Sequence, residues 1–193
     1  MTIGRLVVIT GPAAAGKSTL AKALQSHFAK RGELWLVFEV DAFGRGMPRD
    51  WVAIGDHRGG HAAQGFDYAR GDDGSLGLIL GADGRRVLAA FHRAVAAAVN
   101  CGLNVICETI LYDDADWDDW ADSLSGIRAC WVRLSAPLAV IDAREKAERV
   151  PLFQGLGRGM SARALVGTYS VEADTGTETT RQIVERVTRS LTA

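Results

Sequence analysis

The sequence predicts an α/β domain on a five-stranded, mainly parallel sheet, and three observations carry that prediction. Short apolar, β-branched runs recur along the chain, stretches with apolar residues at helical spacing separate them, and several runs stop at a glycine or a carboxylate. Runs apolar on both faces suit a parallel sheet covered by helices on both sides, joined by right-handed crossovers.

The first run, Arg5 to Thr10, stops at Gly11. Beyond a glycine-containing turn, Ser18 to Lys30 carries Leu20, Ala23, Leu24 and Phe28 at helical spacing, with Gly32 placed to terminate a helix. Leu34 to Val40 reads as the second strand and ends on Asp41. Residues 55–86 break the alternation: Gly71-Asp72-Asp73-Gly74 lies between two apolar stretches, the pattern of a β-hairpin or loop excursion over the sheet. Val87, Leu88, Phe91, Val95 and Val99 then form one helical stripe. Asn104 to Cys107 is the third strand, ending on Glu108, and Ala129 to Leu134 is the fourth. Ser135-Ala136-Pro137 gives a cap and first turn for a helix bearing Arg144. Residues 144–163, with Arg144, Arg149, Arg158 and Arg163 among glycines, suit a mobile, Arg-rich lid. Tyr169 to Ala173 is the fifth strand, ending on Asp174, and Ile183, Val184, Val187 and Leu191 line the last helix. The expected organisation is one domain over residues 1–193 with two appendages.

Composition excludes several classes. With 193 residues, 48% of them hydrophobic, the chain buries a real core and is not disordered. Its 22 basic and 23 acidic residues leave a net charge of -1, which gives no electrostatic basis for nucleic-acid binding. The three cysteines, Cys101, Cys107 and Cys130, form neither a disulfide framework nor a zinc pair. No leader peptide or membrane span is legible, so the expectation is a cytoplasmic protein without membrane partners; the sequence is silent on oligomeric state.

Between the first strand and the first helix lies Gly11-Pro12-Ala13-Ala14-Ala15-Gly16-Lys17-Ser18, the G-x-x-x-x-G-K-[ST] pattern in its proper setting. The glycines let the backbone curl so that successive N–H groups converge on phosphate oxygens, and the helix start adds positive dipole character there. Lys17 supplies a flexible charge for the outer phosphates, the Ser18 hydroxyl is a Mg²⁺ ligand, and Thr19 settles the helix start. Residues 11–19 are therefore the expected ATP site, and the fold becomes a P-loop NTPase-type three-layer sandwich.

In such a sheet ligands bind beyond the carboxyl ends of the strands, where Asp41 and Glu108 stand. Phosphoryl transfer needs a positioned acceptor and neutralised charge. Asp41 is assigned to the acceptor hydroxyl as base, and Glu108 to the metal or the substrate. Either could instead cap a helix, as Thr109 could beside Glu108. Phe43, Met47, Trp51 and Phe66 are candidates for an apolar acceptor wall, alongside His57 and His61.

The ordered set of segments resembles the chloramphenicol phosphotransferase-like family of P-loop kinases. The resembling segments are the loop, Val40-Asp41-Ala42-Phe43 with Met47-Pro48, Gly65-Phe66-Asp67-Tyr68 with Gly71 to Gly74, the stretch Gly102 to Leu111, Trp131 to Arg133, Arg144-Glu145, and Tyr169 to Thr175. The resemblance implies ATP-dependent phosphorylation of a hydroxyl on a small molecule, chloramphenicol being the named example, with Asp41 as the aspartate base. It also implies lid arginines that close on phosphate, matched by Arg144 and Arg149. Glu108-Thr109 and the 149–158 stretch depart from the family pattern where acceptor and lid would meet. The rival reactions are phosphorylation of a metabolite, nucleotide or sugar nucleotide; a non-enzymatic nucleotide-dependent switch is the rival from another class.

The remaining charges have plainer readings. Asp113, Asp114, Asp116, Asp118, Asp119 and Asp122, interrupted by Trp117 and Trp120, read as a solvated helix face with the tryptophans turned inward. Arg158 is a further candidate for clamping phosphate, and Arg133 for pairing with a carboxylate at a sheet edge.

Overall fold

The structure, a computed structural model, describes residues 2–54, 57–148, 153–161 and 167–192, without the side chains of Ile54 and Glu148. In chain order the elements are β1 (Leu6–Thr10), α1 (Lys17–Ala29), β2 (Trp35–Glu39), α2 (Val40–Arg45), β3 (Ala53–Ile54), β4 (His57–Arg58), β5 (Phe66–Arg70), β6 (Leu76–Leu80), α3 (Ala82–Asn100), β7 (Asn104–Glu108), α4 (Asp114–Ser123), β8 (Ala129–Ser135), α5 (Leu138–Glu148), α6 (Leu156–Ser161), β9 (Val171–Asp174) and α7 (Thr180–Thr192).

Five strands form one sheet in the order β2-β7-β1-β8-β9, with every pairing parallel. The alternation along β1 explains the layers. Leu6 and Val8 face a core shared with Leu88, Phe91, Val95 and Val99 of α3 and Trp120 of α4. Val7 and Ile9 face a second core with Leu20, Leu24 and Phe28 of α1 and Ile183, Val184 and Val187 of α7. Each such side chain contributes about 1.5–3 kcal/mol through burial, so a sheet apolar on both faces is stable only as the middle layer. From β1 the chain goes to one side for β2 and β7, then to the other for β8 and β9. That reversal opens a crevice at the carboxyl end of β1.

Several expectations change. The second strand ends at Glu39 and α2 begins at Val40, so Asp41 lies in the first turn of a short helix and not at a strand end. The expected hairpin is present as antiparallel β5 and β6, but residues 82–86 already belong to α3, and β3 and β4 form a second small ladder. The last strand starts at Val171. In the lid region, Arg144 and Glu145 lie within α5, while Leu156 and Met160 of α6 are buried in the core, so the described part packs against the domain. Thr109 caps nothing: its side chain is buried and its backbone N–H donates to the Ile9 carbonyl.

The acidic run is only partly solvated. Asp113 caps α4 by accepting from the Asp116 N–H at 3.0 Å, and Trp120 is buried as expected. Asp116, however, is 5% exposed, and its Oδ1 lies 3.5 Å from Nε2 of the buried His92, whose Nδ1 is 2.6 Å from Asp119. Burial raises the Asp116 carboxyl to about 7. Burial also lowers His92 to about 4, against the opposing pull of Asp119. Arg133 pairs with Glu172 of β9 at 3.3 Å, as expected. Cys101 is exposed at the end of α3, whereas Cys107 and Cys130 are buried in β7 and β8, and burial raises both of their thiols.

Candidate active site

The turn after β1 is shaped by its backbone. Gly11 has φ 145 and passes so close to β8 that a Cβ there would lie 2.3 Å from the Leu134 carbonyl oxygen. Gly16, at the start of α1, has φ 93, and Ala14 has φ 58, a left-handed conformation that costs a residue with a Cβ about 1–2 kcal/mol. Strain of this kind collects at ligand clamps, and here it curls the chain around one point. Ala13 and Ala15 are buried beneath the turn. Lys17 Nζ donates to the carbonyls of Gly11 at 2.9 Å and Pro12 at 3.0 Å, placing its charge inside the loop.

The two expected metal ligands meet. Ser18 Oγ donates to Glu108 Oε2 at 2.7 Å, although 90 positions separate them in the chain. Glu108 is nearly buried, and desolvation raises its carboxyl; the Ser18 hydrogen bond opposes this, while the charges of Glu39 and Asp41 add to it. Glu39 stands directly opposite Glu108 in the β2–β7 register, so the two carboxylates project from the same face of the sheet. Among the described residues no group of three or more His, Cys, Asp or Glu could hold a metal ion. A hydroxyl and a carboxylate nonetheless fit Mg²⁺, which takes hard oxygen donors and keeps phosphate and water for its other positions.

Arg144 is fixed beneath the loop. One of its terminal nitrogens donates to the Ala14 carbonyl at 3.1 Å and Thr175 Oγ1 at 2.9 Å, and the other donates to the Thr175 carbonyl at 2.9 Å. Thr175 Oγ1 in turn donates to the Ala15 carbonyl at 3.0 Å. Arg144 thus ties the loop to the turn after β9 instead of standing ready as a swinging clamp. Arg158 is engaged by Asp142 of α5, and Arg149 lies outside the described residues.

A cleft of about 360 Å³ opens over the loop, lined by Ala13, Ala14 and Gly16 to Thr19 together with Glu39, Asp41, Glu108, Arg144 and Thr175. The structure therefore brings Lys17, Ser18, Asp41, Glu108 and Arg144 together. It does not bring Phe43, Met47 and Trp51 into that cleft. These three line a separate groove of about 340 Å³ with Asp83, Val87 and Ala90 of α3, because α2 turns Phe43 onto Phe91 with ring centroids 5.1 Å apart. Trp51 Nε1 donates to Asp83 Oδ2 at 3.0 Å, and the Trp51 ring packs on His61. Glu39 and Thr175 are cleft residues that the sequence reading missed. Each lies at the end of a strand or just after one, so the rule that selected Glu108 applies to both.

A phosphate-binding loop, a hydroxyl–carboxylate pair at the first helix and a parallel sheet of this order define a P-loop α/β domain of the kinase type. The chain belongs to the chloramphenicol phosphotransferase-like family, whose profile matches residues 4–192. The fold is shared with solved structures of low sequence identity. The Mycobacterium tuberculosis APS kinase in complex with AMPPNP and APS is 17% identical, with TM-score 0.70 and 100% of both chains covered. A sugar kinase from Janibacter sp. HTCC2649 is 20% identical, with TM-score 0.66 and coverage of 98% of this chain and 95% of that one. The Deinococcus radiodurans tunicamycin resistance protein is 17% identical, with TM-score 0.57 and coverage of 97% and 95%. No curated protein sequence matches the chain at a significant level.

Proposed function

We propose that the protein is a cytoplasmic, ATP-dependent O-phosphotransferase that moves the γ-phosphoryl group to a hydroxyl of a small molecule, antibiotic alcohols included. One observation carries this reading: the phosphate loop, the Ser18–Glu108 pair and Asp41 line a single cleft. Backbone N–H groups of residues 13–18 and the Lys17 ammonium hold the triphosphate. Ser18 and Glu108 hold Mg²⁺, which when bound neutralises phosphate charge. Asp41, on the first turn of α2, orients the acceptor hydroxyl and takes its proton as the oxygen attacks, a contribution of about 10²–10⁴-fold. Arg144 keeps the loop in shape through the Ala14 carbonyl.

The charges at the acceptor end favour an uncharged alcohol over a nucleotide or sugar nucleotide. Glu39 and Asp41 line that end with Glu108, Glu39 standing 3.6 Å from the exposed Arg45, while among the described residues the cations that line the cleft, Lys17 and Arg144, both engage the phosphate loop. An anionic acceptor would meet carboxylates in a cleft where repulsion between like charges is poorly screened. The test is mass-spectrometric screening, with Mg-ATP, of hydroxyl-bearing antibiotics, neutral metabolites and nucleotides for the gain of one phosphate. Transfer to a neutral alcohol is expected. Nucleotide binding with slow hydrolysis and no transfer to any acceptor would overturn the kinase reading in favour of a switch, and exclusive transfer to nucleotides would overturn the acceptor assignment.

A further inference from the structure

Glu145 is a buried carboxylate that the chemistry above does not use. It follows Arg144 on α5 and is 2% exposed. Its Oε2 accepts from the Gly155 N–H at 2.7 Å and its Oε1 from the Gly157 N–H at 2.8 Å. A carboxylate is costly to bury, and charge-assisted bonds of this kind hold their donors firmly.

What Glu145 grips is a junction. A Cβ on Gly157 would lie 2.6 Å from the Ala13 carbonyl oxygen, so α6 rests directly on the phosphate loop. A Cβ on Gly155 would lie 2.2 Å from the Gly74 carbonyl oxygen, and one on Gly159 2.3 Å from that of Leu76. The Gly155 carbonyl also accepts from the Leu76 N–H at 2.8 Å. Three alternate glycines therefore let one short helix touch the loop on one side and the β5–β6 hairpin on the other, and Glu145 fastens its backbone from α5.

We propose that Glu145 is a positioning residue: by clamping the backbone of Gly155 and Gly157 it holds α6 as a fixed brace between the phosphate loop and the hairpin, whose Phe66 shares a core with Val40 and packs on Gly44 of α2, the helix that carries Asp41, and so sets the distance between phosphoryl donor and acceptor. This rests on the kinase reading above. In-line transfer tolerates little misplacement, and an error of about 1 Å can cost about 10²-fold in rate. The nucleotide's own contacts are local to the loop, which Arg144 and Thr175 continue to shape. Loss of the brace is therefore expected to lower kcat and leave nucleotide affinity in place.

The test compares Glu145→Gln and Glu145→Asp in the full chain, using an acceptor found by the screen. Gln matches Glu in size but turns an NH2 group toward one of the two N–H donors. Asp keeps the charge but is one methylene shorter. Glu145→Gln is expected to lower kcat about 10–100-fold with the nucleotide Kd within about threefold, and Glu145→Asp to recover part of the loss. A packing role predicts the reverse order, with Gln benign and Asp worse. Gly159→Ala, whose Cβ would lie 2.3 Å from the Leu76 carbonyl oxygen and so pushes α6 off the hairpin without meeting Glu145, should reproduce the loss of kcat, and amide exchange at Gly155 and Gly157 should quicken in Glu145→Gln. Parental kcat in Glu145→Gln, or kcat and nucleotide affinity falling together, overturns the proposal. If the parent binds nucleotide but phosphorylates nothing, the kinase reading fails and positioning for transfer falls with it, while the exchange measurement still scores the brace.

Discussion

The two ends of the cleft are built differently. The end we assign to phosphate is one contiguous stretch, residues 11–19, in which Lys17 donates to carbonyls of its own loop and Ser18 to Glu108. The end we assign to the acceptor gathers Glu39 and Asp41 from either side of one strand–helix junction, and its neighbouring apolar groove takes residues from α2, from the turn before β3 and from α3. A group common to every turnover can be met by a local, backbone-made cradle, whereas an acceptor is met by side chains assembled through the fold. Changes at one end should therefore separate kinetically from changes at the other.

The largest expected effect tests that separation. Asp41→Asn should lower phosphoryl transfer by about 10²–10⁴-fold with nucleotide affinity unchanged, measured by steady-state turnover and nucleotide titration. A parallel loss of nucleotide binding would erase the distinction between the two ends. Lys17→Ala should lower kcat/KM by about 10²–10³-fold and weaken nucleotide binding as well, because its charge serves ground state and transition state alike. Glu108 sits where the ends meet. Glu108→Gln should weaken Mn²⁺ binding to the nucleotide complex by about 10–100-fold, read by spin resonance. Unchanged Mn²⁺ affinity would move Glu108 out of the metal's reach and onto the acceptor.

The smallest effect lies away from the cleft, on the opposite face of the sheet. Folded Asp116 holds its proton to about 7 against an ordinary 3.8, so its term lowers stability as pH rises through that interval. His92 stays neutral to about 4 against 6.5, so its term lowers stability as pH falls through its own. The two oppose one another below 6.5, and above it only the Asp116 term remains. The parent's Tm should therefore fall between about pH 6.5 and 8, and Asp116→Asn should remove that fall, with transfer kinetics unaffected. A decline that persists in Asp116→Asn would place the titration elsewhere.

The contrast between the two ends also explains what was legible. The sheet is readable because four of its strands centre on apolar runs of three or more residues, with Val171-Glu172-Ala173-Asp174 the exception, and the phosphate loop because all its chemistry is adjacent in sequence. Glu39 falls inside the run from Leu34 to Val40, where nothing in the sequence sets it apart; its place opposite Glu108 follows only from β2 lying beside β7, a pairing across more than sixty positions. Asp41 stands out in the sequence as the carboxylate that ends the second apolar run, yet the strand stops at Glu39 and the residue belongs to α2, which starts at Val40. Phe43, Met47 and Trp51 were chosen for proximity in sequence, and the turn of α2 onto α3 carried them into a different groove. Asp116 and Glu145 look like ordinary surface charges on helices, and only tertiary packing buries them.

The unequal accessibility of the three thiols has a practical consequence. Cys107 and Cys130 are shut inside the sheet, whereas Cys101 stands in water just ahead of the β7 residue where that strand begins, and Glu108 marks the strand's other end. A maleimide fluorophore added to the unaltered protein should settle on one sulfur, at the rim of the sheet facing away from catalysis. Solution experiments on ligand-induced motion could then begin without first engineering a labelling position.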